Sequence, residues 1–152
     1  MRFILILFIT LIYNTSAFSD LIKPNIKIQP EEVILIQLNA LMNNNIPFAD
    51  AGITQTWEFA HPQNRKYTGP LSNFIQMMKS DSYKSMIGHS SHNIIFVSNK
   101  DNIANYFVEL TDKVGNKLGF TWTLQKFLEE GDFKNCWMTI GVSAPFPLAK
   151  SA

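Results

Sequence analysis

The feature that most restricts this chain is a change of hydrophobic period near His92. Before it, apolar residues recur every three or four positions; after it, they alternate. The first half is therefore read as helices and the second as half-buried strands. Pro30, followed by Glu31 and Glu32, is a helix start, because proline has no donor to lose in a first turn and acids suit the positive end of the dipole. Val33, Ile34, Gln37, Leu38, Leu41 and Met42 continue it at helical spacing until Asn43-Asn44-Asn45 and Pro47. Asp50 stands where the N-cap of a second helix belongs, with Ile53, Trp57 and Ala60 on one face and Pro62 as its stop. Thr68 or Gly69 caps a further helix with Pro70 in its first turn and Leu71, Phe74, Ile75 and Met78 as its stripe. Asp81 caps a short turn over 83–87 that Gly88 ends.

Beyond His92 the alternation gives strands at 93–98, 104–111, 119–127 and 136–142, with hairpin turns at 112–117 and 129–132. Ala104, Tyr106, Val108 and Leu110 share a face, as do Phe120, Trp122 and Leu124. In the last strand the same alternation groups Met138, Ile140 and Val142 against Trp137 and Thr139, and Pro145 and Pro147 end the sheet. Helices first and a meander afterwards make an α+β fold, N-terminal helices packed on a curved antiparallel β-meander. The outward positions include Phe107 and Trp137, which points to a homodimer through the sheet face.

Residues 1–19 read as a signal peptide: Arg2, an apolar run over 3–13, then small residues including Ala17 and Ser19. The run is shorter than the roughly 20 residues a spanning helix needs, so no stable membrane span is expected after cleavage. A leader over 20–29 follows, then a single α+β domain over 30–146 and a C-terminal tail over 147–152. The chain is expected to be exported, to a bacterial periplasm or secreted, since it has no Ser- and Arg-rich transit segment. Thirteen basic side chains less Arg2 leave twelve against twelve acidic ones. That balance excludes nucleic acid, whose phosphates require a basic face. One cysteine, Cys136, allows no internal disulfide, and it reads as a small buried hydrophobe. With His61, His89 and His92 it makes no convincing metal set, and no cofactor is expected.

The densest run of special residues is Trp57-Glu58-Phe59-Ala60-His61-Pro62-Gln63-Asn64-Arg65-Lys66-Tyr67-Thr68-Gly69-Pro70. It resembles the signature of an uncharacterised (DUF-type) domain family of bacteria and plants. Asp50-Ala51-Gly52-Ile53 ahead of it, and Cys136-Trp137-Met138 through Gly141-Val142, fit the same pattern, although His61 stands where a small residue is expected. The resemblance spans nearly the whole chain after residue 19. It implies a cystatin-like, nuclear-transport-factor-2-like cone, with helices closing over a bent sheet, and it brings no activity with it.

Asp50, Pro62, Arg65, Thr68, Gly69 and Pro70 read as the structural part of this motif. Arg65 either locks the loop by a forked bond to Asp50, or holds an anion with Asn64 and the amides near Gly69. Trp57, Phe59, His61, Asn64, Arg65, Tyr67, Trp122 and Met138 are the candidate ligand contacts, joined by Phe74, Met77 and Met78. They form either a solid core or the lining of an apolar cavity with a few polar groups. No catalytic residue is assigned. The expected function is a non-catalytic domain binding a small apolar or amphipathic ligand, or a protein partner, between helices and sheet. The alternatives are a small isomerase, cyclase or hydrolase with Asp50, Glu58 or His61 as base, with Glu109 a further carboxylate candidate, and a structural homodimerising module.

Overall fold

The computed structural model describes residues 20–148, so the signal peptide expected over 1–19 and the tail beyond 148 lie outside the described residues. Helix α1 (Pro30–Met42) opens with Pro30 and the two acids as the sequence predicts, and buries Val33, Ile34, Gln37, Leu38 and Leu41. Helix α2 (Ala51–Glu58) packs against it so closely that a Cβ on Gly52 would lie 2.1 Å from the Ala40 carbonyl oxygen. Only glycine permits that approach.

Asp50 does not cap α2 with its side chain. Its backbone is left-handed (φ 61°), outside the extended region from which caps act. Asn44 serves instead: its carbonyl accepts from Gly52 N–H (2.9 Å) and its Oδ1 from Ile53 N–H (3.0 Å). The Asp50 carboxylate bonds Lys79 Nζ (2.6 Å) and Asn44 Nδ2 (3.1 Å), which ties the start of α2 to the end of α4 (Leu71–Met78). The leader forms no strand; the Gln55 amide holds Ile22 through both its backbone N–H (2.7 Å) and its carbonyl (2.8 Å).

Helix α2 ends at Glu58, short of the stop expected at Pro62, which instead begins an unexpected helix, α3 (Pro62–Thr68). Proline at the first helical position is pre-set for a helix start, and the His61 ring accepts from Gln63 N–H (3.1 Å) as its cap. Gly69 (φ 77°) ends α3, and Pro70 takes the N-cap position of α4 rather than a place in its first turn. A 3-10 turn (Lys84–Met86) leads through Gly88 to the sheet.

Strands β1 (Ser91–Lys100), β2 (Ile103–Thr111), β3 (Lys117–Lys126) and β4 (Trp137–Val142) are antiparallel neighbours in that order. Asp101 and Asn102, both at positive φ, make the two-residue turn that extends β1 past its expected end. Pro145 and Pro147 do not end the sheet as expected: Phe146–Pro147 forms β5 against β3. The core face of β2 and β3 is the one the alternation predicts. In β4 it is reversed ahead of Ile140 and kept at Val142: Thr139 lies opposite Leu124 but Gly141 opposite Thr123, so Ile140 is a bulge. Trp137, Thr139 and Val142 therefore face the helices, while Met138 lies opposite Gln125. On the outer face Phe107 and Phe146 stack at 5.6 Å over Gly119, where a Cβ would strike both rings.

Candidate functional site

After α2 the chain runs alongside β4 for three residues. Thr139 N–H donates to Phe59 O (2.8 Å), and His61 N–H donates to Thr139 O (2.8 Å). Asn64 Nδ2 adds a second bond to that Thr139 carbonyl (3.3 Å). The Thr139 hydroxyl extends the connection inward. It donates to Gln37 Oε1 (2.7 Å) and accepts from Trp122 Nε1 (3.2 Å), and Gln37 Nε2 donates to Thr56 O (3.1 Å). Trp122, Thr139 and Gln37 are all buried, so each of these groups would be costly without its partner.

This polar rung forms one wall of a cavity of about 140 Å³ between the helices and strands β3 and β4. Leu41, Phe74, Met77, Met78, Met86, Trp122 and Val142 give it an apolar lining; Gln37, Thr56, Asn64, Thr68, Tyr83 and Thr139 supply the polar groups. Tyr83 Oη donates to Val142 O (3.1 Å), which ties the segment before the 3-10 turn to β4.

Of the sequence-predicted contacts, Trp122, Asn64, Phe74, Met77 and Met78 line this cavity. Trp57 stands behind Phe74, its ring 5.0 Å away. Phe59 and Met138 are fully buried and outside the lining, and Tyr67 is 82 % exposed on α3. Gln37 and Thr139 were missed as site residues. A glutamine inside an otherwise apolar stripe was the available signal for the first; the bulge concealed the second.

Arg65 does not reach Asp50. Its Nε donates to Ala60 O (3.0 Å), and its Nη2 to Trp57 O (2.8 Å) and Glu58 O (3.1 Å), carbonyls at and just beyond the end of α2. The guanidinium lies 4.8 Å from the centre of the Trp57 ring. Nε and Nη2 are thus spent on the backbone, so the loop is locked through carbonyls rather than through a carboxylate.

The side chains considered as bases stand elsewhere. Asp50 is paired with Lys79 and Glu58 with Lys23 (2.7 Å), while Glu109 accepts from Asn93 (3.2 Å). His61 is buried beside Phe127 and borders a separate depression with Tyr67 and Glu129. Burial pushes its pKa down, partly opposed by Glu129, which leaves a neutral ring with Nδ1 as acceptor and the hydrogen on Nε2. Among the described residues no cluster of three or more His, Cys, Asp or Glu could hold a metal, and no helix is long and apolar enough to cross a membrane.

No protein-family model, curated protein or solved structure matches the chain.

Proposed function

We propose that this is an exported, cone-type (cystatin-like, nuclear-transport-factor-2-like) domain that binds a small, mainly apolar molecule between helices and sheet without transforming it. The observation that carries this is the cavity of about 140 Å³, lined by three methionines, three aromatic side chains and aliphatic chains beside the Trp122–Thr139–Gln37 rung. Methionines adapt to irregular shapes, and a cavity near 150 Å³ has room for about one benzene ring. One ring or a short branched chain is thus the size class, with a hydroxyl or carbonyl for the polar wall. The apolar run over 3–13 supports export, and the order of helices and antiparallel strands supports the cone.

Binding of 4-fluorophenol and fluorobenzene followed by 19F NMR tests this reading. A bound signal that Val142→Phe abolishes, with the fold retained, is the expected result. Absence of a bound signal for either probe at millimolar concentration overturns it.

A second reading rests on the outer sheet face, where Ile95 pairs with Phe107 and Phe107 stacks on Phe146. These side chains form an apolar strip suited to a second copy of the chain. Sedimentation of the wild type and of Ile95→Lys tests it: a dimer that the lysine dissociates supports a homodimer, and a monomer at high concentration removes it.

A further inference from the structure

His89 and His92 meet where the helical layer passes into the sheet. His89 is buried, and its Nδ1 lies 2.7 Å from Met86 O. A carbonyl only accepts, so this nitrogen carries a hydrogen. The other nitrogen of the ring, Nε2, lies 2.7 Å from His92 Nδ1. One hydrogen fits between those two atoms, and two do not. In the neutral pair the His89 hydrogen is spent on Met86, so the shared hydrogen belongs to His92 Nδ1 and His92 Nε2 is the open lone pair. One added proton on that lone pair leaves every contact in place. A second sets N–H against N–H and breaks the bond.

No surrounding charge offsets that repulsion. On the 3-10 turn, Lys84 is paired with Asp81, and the last turn of α1 has no basic residue. On β2, Leu110 lies opposite His92, and the neighbouring Glu109 is bonded to Asn93. The Asp112 carboxylate is used by its own turn, on Val114 and Asn116. Lys117 on β3 borders the same depression as His92 and Glu109. Among the described residues no carboxylate forms an ion pair with either ring. Burial lowers the pKa of both; for His89 the Met86 bond opposes this and His92 adds to it.

The segment these rings hold is part of the cavity. Met86, whose carbonyl takes the His89 hydrogen, lines it, and so does Leu41, whose carbonyl accepts from Gly88 N–H (2.9 Å). We propose that the His89–His92 pair is an acid-triggered latch on this cavity: its second proton parts the rings, and His89, still bonded to Met86, shifts with that segment and loosens the wall of the site. The latch rests on the small-ligand reading above.

The test is long-range 1H–15N NMR of the ring nitrogens with 13C-labelled methionine methyls, from about pH 8 to about pH 4. At the upper end both rings should carry hydrogen on Nδ1. As the second proton enters, the Met86 methyl should shift and affinity for 4-fluorophenol should fall about tenfold. His92→Asn places an amide N–H where Nδ1–H was; it should keep the affinity found near pH 8 and lose the acid response. Hydrogen on His92 Nε2 alone near pH 8, or an unchanged acid response in His92→Asn, overturns the latch. If 4-fluorophenol binds at no pH, the ligand reading fails by itself. The Met86 methyl then decides: a shift in the wild type absent from His92→Asn supports the latch, and its absence overturns it.

Discussion

The Thr139 hydroxyl donates to the Gln37 side chain across 2.7 Å, joining the last long strand to the first helix over 102 positions of sequence. Its backbone is bonded at the same time to Phe59 and His61. One residue thus fixes the helical layer, the motif segment and the sheet relative to one another. Thr139→Val keeps the shape but leaves Gln37 Oε1 and Trp122 Nε1 without their partner. We expect a loss of about 3 kcal/mol in urea unfolding, at the upper end for buried unpaired groups. Thr139→Ser, which keeps the hydroxyl, should lose less than half of that.

Arg65 bonds the carbonyls at and just beyond the end of α2 and lies over the Trp57 ring. Arg65→Ala should cost about 2 kcal/mol, from lost charge-assisted bonds and lost packing. Arg65→Lys should recover little, because an ammonium cannot reproduce the planar fork. Affinity of the folded fraction for a cavity probe should not change. Unaltered stability with lost binding would restore the anion-holder role.

Gly52 lies where α1 and α2 touch through their backbones. The atoms a Cβ would meet, Ala40 O, Ala40 C and Asn44 Cα, are all main chain and cannot rotate away. Gly52→Ala should therefore force the helices apart at a cost of about 3 kcal/mol. Its unfolding midpoint should fall far below that of a substitution at exposed Gly131.

All three histidines have pKa values below the ordinary 6.5, chiefly through burial. Their unfolded forms then bind protons more readily than the folded ones. Stability is complete above about pH 6.5 and declines as pH falls below it. Urea midpoints from about pH 8 to about pH 5 should show that decline. His61→Asn, which retains a cap acceptor for α3, should reduce it.

Much of this architecture is legible in local pattern, and the departures have local causes. The stripe of α1 and the alternation of β2 and β3 are one-element properties, readable wherever one face is buried. The reversal in β4 depends on a single extra residue, Ile140, whose presence is visible only against the register of β3. Helix α3 was hidden because a proline after a helical stripe has the form of a stop, whereas α2 ends earlier, at Glu58, and Pro62 only starts the next helix. Asp50 has the residue type of a cap, but its left-handed backbone gives that role to Asn44. The cavity itself was the least legible part. Its lining comes from several helices and two strands, and its polar wall from residues paired at long range, such as Gln37 with Thr139.

The clasp of residues 59–61 on Thr139 also has a temporal meaning. Contacts so distant in sequence form late, because the chain between them must first give up the freedom of an open loop. Before β4 docks, the helices have neither the wall nor the polar rung that would retain a guest. On the proposed small-ligand reading, a partly synthesised chain would then be indifferent to the guest, whereas the completed one would gain stability from it. Occupancy of the cavity would mark the molecules whose folding is finished.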